Sequence, residues 1–284
     1  MRTAATILSL ILQVAKMNHN IRAVLLTGSR ATNVTINDQL QDFDIIYVVT
    51  QLELFTKDHS WINVFGEKLI WQLPDEMAIG EKHLYAFHYL MLFTDGNRID
   101  ITLYPLDKIS LIVQEESILK LLLDKDHLFE NLSLPGEEGY LIKPPVEKEF
   151  LDCCNEFWWV STYVAKGLWR KEISYAKAML EDPVRTQFLQ MIAWYIGLHT
   201  SFAVSFGKKG RNMQRYLSPL LYNQILATYA DGAIENNWNA LFRMTTLFDE
   251  LANEVANALH LYYNQKEAEN VVEYLKRIYA MAFW

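Results

Sequence analysis

The sequence predicts an α+β protein in which a mixed β-sheet flanked by helices is followed by an all-α helical bundle. Short apolar runs typical of strands lie in the first half, within residues 21–27, 42–50, 85–93 and 97–104. The stretch LPGEEGYLIKPP is rich in Gly and Pro and has no helical periodicity, so it is typical of a linker. From Glu147 onward almost every segment has the apolar period of a helix.

These observations predict a domain over residues 1–135, a linker over 136–146 and a helical domain over 147–284. A chain of 284 residues is long enough for two domains. In the second domain the periodicity predicts helices over 147–166, 170–181, 184–206 and 216–229, and a long one from Asn236 to the end.

Each element of the first domain has its own signal. Residues 1–20 have an amphipathic pattern, which favours a helix over a signal peptide. Ile21 to Thr27 is predicted to be a strand that ends at a Gly-Ser pair, and Asp42 to Thr50 is predicted to be a second strand. The runs YAFHYLMLF and NRIDITLY are joined by Thr-Asp-Gly-Asn, whose central Asp-Gly predicts a β-hairpin.

Composition limits the class of protein. Apolar residues make up 51% of the chain and charged residues 21%, which is typical of a folded globular protein. The net charge of −8 argues against a large nucleic-acid interface, and no apolar run reaches the length of a membrane span. Two adjacent cysteines do not make a disulfide framework. We therefore expect a cytoplasmic protein with no nucleic-acid or membrane partner, either monomeric or weakly dimeric.

Two aspartates lie one residue apart in the second strand, and a third lies in the hairpin. Because side chains alternate along a strand, Asp42 and Asp44 lie on one face, and Asp100 shares a face with Arg98 and Thr102. Three carboxylates on one sheet can converge. Clustered like charges are unfavourable unless a cation neutralises them, and hard oxygen ligands point to Mg²⁺.

A Gly-Ser-Arg run follows the first strand. Gly28 allows backbone amides to approach a phosphate closely, Ser29 adds a hydroxyl and Arg30 adds a positive charge. A single Gly-Ser or a single D-x-D has little specificity. The ordered set of strand, Gly-Ser, D-x-D within a strand and a third strand with Asp is much more specific, and it predicts a phosphate site beside a metal site.

The pattern GSR…QDFDIIYVV…RIDITL resembles the nucleotidyltransferase superfamily that includes DNA polymerase β. The whole chain resembles the bacterial aminoglycoside 6-adenylyltransferases, including the segments CCNEFWWVSTYVAKGLWRKEISYAK and MIAWYIG in the helical half. The resemblance implies a nucleotidyltransferase fold for the first domain, with the active site between the two domains.

The resemblance also implies transfer of AMP from ATP to a hydroxyl of streptomycin, with release of pyrophosphate, and hence antibiotic resistance. Asp42 and Asp44 would hold Mg²⁺, and Gly28 and Ser29 would contact the triphosphate. Asp100 matches the third carboxylate of the superfamily. Its role is either metal ligand or general base, and we favour the base.

A row of acidic and aromatic residues follows one face of the predicted helix 147–166. Asp152, Glu156, Trp159 and Tyr163 are spaced by four, three and four residues. A carboxylate pairs with a guanidinium, and an aromatic ring attracts a cation, so this row suits the two guanidino groups of streptomycin. From the residues alone, an ordinary solvated face is the better interpretation, and the resemblance favours substrate binding.

Further charged residues of the helical half are candidates as well. Asp182 ends the next helical segment and is a possible substrate carboxylate. Lys177 lies one turn before Glu181 and either pairs with it or reaches a phosphate. The basic run FGKKGRNMQRYL is either a solvated loop or a nucleotide contact, and Lys208 is the best single candidate in it.

Two alternatives stay open. The same fold can act on another acceptor, such as another aminoglycoside, a lincosamide, a protein or an RNA, although an RNA would need a larger basic track. A non-catalytic nucleotide-binding protein is the alternative from another class, and the intact Asp42–Asp44 pair argues against it.

Overall fold

The computed structural model describes residues 1–32, 38–80 and 83–281. The chain forms two compact units, Met1–Tyr140 and Leu141–Trp284. No helix among the described residues is long and apolar enough to cross a membrane.

The first unit is built on a six-stranded mixed sheet. Its strands are β1 (Ile21–Thr27), β2 (Phe43–Val49), β3 (Lys68–Gln72), β4 (Phe87–Phe93), β5 (Arg98–Pro105) and β6 (Lys120–Asp124). They lie in the order β3-β4-β5-β2-β1-β6. The β2–β5 pair is parallel and the other pairs are antiparallel. The predicted mixed sheet is therefore confirmed.

Helices α1 (Ala4–Met17), α2 (Glu53–Thr56) and α3 (Ile109–Glu115) complete this unit. Alternate strand residues form two apolar clusters on opposite faces of the sheet. One cluster packs β2, β4 and β5 against α1 through Ile7 and Ile11. The other packs Leu25 and Ile46 with Ile112 of α3. We call the second face, which also carries Asp44 and Asp100, the carboxylate face.

The sequence analysis did not predict β3 or β6. β3 reads KLIWQ, and its residues Leu69 to Gln72 are all exposed, so it lacks the alternation that marks a strand with one buried face. β6 reads KLLLD, a run that is too short for its period to separate strand from helix. Both are edge strands. They adopt strand structure because they pair with a neighbouring strand, and not because of their own apolar pattern.

The second unit is helical, as predicted for the C-terminal half. Its helices are α4 (Glu147–Trp169), α5 (Ile173–Met179), α6 (Arg185–His199), α7 (Pro219–Leu226), α8 (Ile234–Leu259) and α9 (Gln265–Met281). They enclose one apolar cluster. At its centre the rings of Phe157 and Phe248 stack with centroids 3.7 Å apart.

Helix boundaries differ from the predictions in several places. The long helix from Asn236 is interrupted at His260, which adopts the left-handed conformation. The helix predicted over 184–206 ends at His199. Between α5 and α6 the chain forms a π-turn over Leu180–Val184 that contains Pro183. A proline has no N–H and crowds the preceding turn, so the helix widens there instead of continuing with α geometry.

Candidate active site

Strand register places the carboxylates of the first unit on one face of the sheet. Asp44 of β2 and Asp100 of β5 are direct partners in the parallel pair. Direct partners and alternate residues share a face, so Asp42, one step before β2, also lies on this side. The side chain of Asp100 is 18% exposed and that of Asp42 is 39% exposed. The three aspartates lie at one end of the carboxylate face, beyond its apolar cluster.

Gly28 lies against the Asp44 carboxylate. It follows directly after Thr27, which is the antiparallel partner of Asp44. Its φ of +67° lies in the left-handed region, and a Cβ placed there would lie 2.0 Å from Oδ2 of Asp44. Only glycine fits at this point, because any side chain would displace the carboxylate. The Gly-Ser turn and the D-x-D strand are therefore two sides of one site.

The electrostatics of this site disfavour negative charge on Asp44. Burial, followed by the charges of Asp100 and Asp42, raises the pKa of Asp44 to about 6. Burial also raises the pKa of Asp42. A bound cation would relieve this repulsion, which is the condition under which a protein keeps clustered carboxylates.

Arg98 holds the third carboxylate. Its Nε and Nη2 donate to the two oxygens of Asp100 at 2.9 and 2.6 Å, and its Nη1 lies 3.7 Å from Oδ2 of Asp42. The hydrogen bond with Asp100 raises the pKa of Arg98. The sequence analysis placed Arg98 on this face without a role, although its spacing of two from Asp100 was the signal for an ion pair along one strand face.

Arg30 fixes the chain that leads into Asp42. Its guanidinium stacks on the ring of Phe43, with Cζ 4.0 Å from the ring centroid. It donates to the carbonyl of Gln41 at 2.7 Å and to that of Asp42 at 3.0 Å. Burial lowers the pKa of Arg30. Gln41 in turn donates to the carbonyl of Ser29 at 3.3 Å, so Arg30 and Ser29 lie on the turn that supports Asp42.

The three aspartates do not form a three-carboxylate metal site. Among residues 1–32, 38–80 and 83–281, no three His, Cys, Asp or Glu side chains are arranged to hold one metal ion. Mg²⁺ usually takes one or two carboxylates and completes its shell with water and phosphate oxygens. Asp42 and Asp44 fit that mode, because both are oxygen donors with raised pKa values, on one face and beside a glycine turn.

The second unit contains an open cavity of about 710 Å³ between α4 and α6. Two of the predicted substrate residues, Asp152 and Glu156, line it. The residues that line it in addition are Lys143, Glu149, Cys153, Gln187, Gln190 and Trp194. Glu149 lies one turn before Asp152, so extending the predicted row would have found it. The contribution of α6 depends on how the helices pack and has no signal in the sequence of α4.

Other predicted substrate residues lie elsewhere in this unit. Trp159 and Tyr163 are not among the described residues that line the cavity. Trp159 is 59% exposed, and its indole N–H donates to the Tyr163 hydroxyl at 2.6 Å. Lys177 donates to the carbonyl of Ala230 at 2.7 Å, which ties α5 to the loop before α8.

The remaining predicted residues are exposed. Asp182 lies on the π-turn, and Lys208 lies on the short turn Lys208–Gly210. Asp152 forms an ion pair with Lys148, one turn away on α4. An exposed pair of this kind contributes little to stability, so a cationic ligand can displace Lys148 from Asp152.

Comparison with known proteins identifies the family. The family model described as streptomycin adenylyltransferase matches residues 1–278. An aminoglycoside 6-adenylyltransferase of Campylobacter jejuni is 38% identical over 280 residues, covering 98% of this chain and 97% of the relative. One of Staphylococcus aureus is 35% identical over 281 residues, covering 98% and 99%.

Among solved structures, the crystal structure of an aminoglycoside 6-adenyltransferase from Bacillus subtilis has 33% sequence identity, covers 98% of this chain and 99% of that chain, and gives a TM-score of 0.49. The family model and the two relatives confirm the resemblance to this family that the sequence motifs indicated. Because the family model and both relatives extend over nearly the full length, this chain belongs to the streptomycin adenylyltransferase family.

Proposed function

We propose that the protein transfers AMP from ATP to a hydroxyl group of streptomycin and releases pyrophosphate. The observation that carries this proposal is the contact of Gly28 with the Asp44 carboxylate, which joins a phosphate-type turn to a pair of metal-type carboxylates. Membership of a family of adenylyltransferases supports the reaction, and the acidic cavity of the helical unit supports a cationic acceptor.

Asp42 and Asp44 are the residues that would hold Mg²⁺ together with the phosphates of ATP. When bound, the ion would neutralise the phosphate charge that develops during transfer. Gly28 and Ser29 present backbone N–H groups and a hydroxyl at the end of β1, where they can donate to triphosphate oxygens. Arg30 supports this turn through its bonds to the carbonyls of Gln41 and Asp42.

In the transfer, the acceptor oxygen forms a bond to the α-phosphorus and the bond from that phosphorus to pyrophosphate breaks. We assign to Asp100 the role of general base, which accepts the proton of the acceptor hydroxyl. The hydrogen bonds from Arg98 occupy one lone pair on each carboxylate oxygen of Asp100. Each of these oxygens has a second lone pair, so Asp100 keeps the capacity to accept a proton. Arg98 orients the carboxylate while it does so.

In this proposal, the carboxylates of Glu149, Asp152 and Glu156 bind the acceptor. Carboxylates bind guanidinium groups through paired, charge-assisted hydrogen bonds. Three of them line one cavity with a tryptophan, and streptomycin carries two guanidino groups. Lys208 and Lys177 are weaker candidates for nucleotide and substrate contacts, because Lys208 is exposed and Lys177 donates to backbone carbonyls.

Pyrophosphate release tests the proposal. The purified protein is mixed with ATP and Mg²⁺, and release is compared with streptomycin, with kanamycin, which lacks guanidino groups, and without acceptor. Release with streptomycin alone is the expected result, and mass spectrometry should find one added AMP on the drug. Equal release with kanamycin would contradict guanidinium recognition, and absence of release with every aminoglycoside would contradict the proposed function.

A further inference from the structure

A patch of apolar side chains continues the carboxylate face beyond Asp100. Leu90 of β4 is the direct partner of Asp100, and Leu92 is the partner of Arg98. On the edge strand β3, Ile70 is in turn the partner of Leu92. Because direct partners share a face, these side chains lie beside the acidic site on the same surface. We call Ile70, Leu90 and Leu92 the apolar shelf.

The core leaves the apolar shelf partly uncovered. Tyr89 and Met91, which alternate with the shelf residues along β4, are buried at 0% and 1% exposure. Leu90 and Leu92 are half-buried and belong to neither of the two apolar clusters of the sheet, and Ile70 is 64% exposed. Within the described residues, large aliphatic side chains are therefore left accessible next to a reactive carboxylate.

The order of the strands gives the proposed reaction a direction. Gly28 follows β1, Asp44 lies on β2, Asp100 on β5 and Leu90 on β4, and these strands are neighbours in that order. In an in-line transfer the attacking oxygen and the leaving pyrophosphate lie on opposite sides of the α-phosphorus. If the phosphates lie at Gly28, then the acceptor approaches from the side of β5 and β4.

The dimensions agree with this direction. Neighbouring strands are about 4.8 Å apart, so Leu90 lies about 10 Å from the Asp44 strand. A reacting oxygen lies about 3 Å from the phosphorus. A six-membered ring whose hydroxyl reaches that point above Asp44 and Asp100 therefore extends over Leu90 and Leu92.

We propose that the apolar shelf binds the ring of the acceptor that carries the attacked hydroxyl. This inference rests on the proposed function and identifies the class of ring: a polyhydroxylated cyclitol or sugar, whose edge is polar and whose C–H face is apolar. Asp100 meets the hydroxyl at the edge, while Leu90 and Leu92 pack against the face. The shelf thus makes Leu90 and Leu92 specificity-determining residues for the acceptor.

Leu90→Ala and Ile70→Ser test the shelf. We expect Leu90→Ala to raise KM for streptomycin about five- to tenfold, because part of an apolar contact is lost, and to leave KM for ATP within about twofold. Ile70→Ser should raise KM for streptomycin about two- to threefold. Since Ile70 is exposed, this second variant keeps the test independent of any loss of folding. The matched control is Leu121→Ala, on the opposite edge strand β6, where Leu121 is 38% exposed.

Equilibrium binding gives a readout that does not depend on turnover. Titration calorimetry of streptomycin into the protein with Mg²⁺ and α,β-methylene ATP should show the same rise in Kd for Leu90→Ala and no change for Leu121→Ala. A rise in KM for ATP instead of streptomycin would overturn the proposal and assign the shelf to the adenine. Unchanged constants in both shelf variants would overturn it while leaving the function intact. A wild-type protein that neither binds nor modifies streptomycin would overturn both.

Discussion

The two units of the protein use different means to bring carboxylates together. In the first unit Asp44 and Asp100 are partners on paired strands, and Asp42 lies two residues before Asp44, so register and strand alternation place all three on one face. In the second unit Asp152 and Glu156 lie one turn apart on α4, but their cavity is completed by Gln187, Gln190 and Trp194 of α6.

This difference explains which sites a sequence can predict. The alternation of a strand is fixed at two residues, so neighbours in register share a face without further information. A helical row only defines a direction around the helix axis. Whether each residue of the row reaches a cavity depends on which neighbouring helix packs beside it. Trp159 and Tyr163 follow Glu156 in the same row but are not among the described cavity residues.

The strongest test of the first unit is Asp44→Asn. The variant keeps the shape of the side chain but removes a metal-type ligand, so we expect kcat to fall about a thousandfold or more. Burial and neighbouring charges disfavour ionised Asp44, so its neutral replacement should unfold at the same or a higher temperature. Steady-state kinetics and a thermal melt measure the two effects.

Asp107→Asn is the matched control for this variant, because Asp107 is exposed and pairs only with its neighbour Lys108 among the described contacts. It should keep full activity. If Asp44→Asn retained wild-type kcat, the assignment of the D-x-D strand to metal and phosphate binding would be wrong. A large drop in melting temperature would instead show that Asp44 stabilises the sheet.

The second test of this unit is Gly28→Ala. An added Cβ would lie 2.0 Å from Oδ2 of Asp44 and would also require a left-handed backbone at an alanine. We expect kcat to fall about a hundredfold, because the carboxylate must move. The free energy of unfolding should fall by about 1–2 kcal/mol from the backbone strain. Kinetics and denaturant unfolding provide the measurements.

Gly80→Ala separates these two causes. Gly80 also has a positive φ, of +104°, but a Cβ there meets nothing within 4 Å. It should lose stability through strain and keep its activity. Equal kinetic effects of the two substitutions would show that Gly28 acts through general destabilisation and not through contact with Asp44.

The sequence predicted most of the sheet and less of the helical unit for physical reasons. β1 matches its predicted bounds because a buried strand between a helix and a Gly-Ser pair has clear limits. The edge strands were missed because they bury little. The break at His260 has no glycine or proline to signal it, and its left-handed turn is closed by a hydrogen bond from Leu261 N–H to the carbonyl of Ala256.

The same contrast applies to the candidate site. The common face of the aspartates and the proximity of Gly28 follow from strand patterns. The spacing of two between Arg98 and Asp100 indicates an ion pair, but its two-bond geometry depends on side-chain rotamers. The cavity requires the packing of α4 on α6. Asp182 was predicted as part of a regular helix end, whereas the π-turn at Pro183 changes the direction of the residues around it.

The test of the helical unit is the pair Glu156→Gln and Asp182→Asn. Glu156 lines the cavity, so its loss should raise KM for streptomycin about tenfold, the value of one charge-assisted hydrogen bond, with little change in KM for ATP. Asp182 is not among the described residues that line it, and its substitution should change KM for streptomycin less than twofold. Initial rates over a range of drug concentrations measure both.

The outcome distinguishes the helical row from the cavity as the basis of recognition. If Asp182→Asn weakened streptomycin binding more than Glu156→Gln, the acceptor site would lie along the π-turn. If Glu156→Gln raised KM for ATP and streptomycin equally, the residue would act on the fold of the unit and not on the drug.

The smallest expected effect concerns charge pairs, which also differ between the two units. In the first unit Arg2 donates to Asp95 at 2.7 Å and also to the carbonyl of Phe65, so it fixes the β4–β5 turn that precedes Arg98. The side-chain hydrogen bond from Arg2 holds the pKa of the Asp95 carboxyl well below its usual range. In the second unit the pair Lys266–Glu269 is exposed, with 72% and 52% of the side chains accessible.

Arg2→Met should therefore lower the free energy of unfolding by about 1 kcal/mol at pH 7, which corresponds to about 2–4 °C in Tm. A depressed carboxyl pKa stabilises the folded state above the unfolded value of about 3.9, and this contribution is lost as the pH falls below it. The difference in Tm between wild type and Arg2→Met should thus be constant from pH 5 to 7 and shrink below about pH 4.

Lys266→Met is the control and should change Tm by less than about 1 °C at every pH, because exposed pairs contribute little. If the difference in Tm between wild type and Arg2→Met did not depend on pH, Arg2 would act through packing rather than through charge. The packing contact is with Phe93, whose ring centroid lies 5.1 Å from Cζ of Arg2.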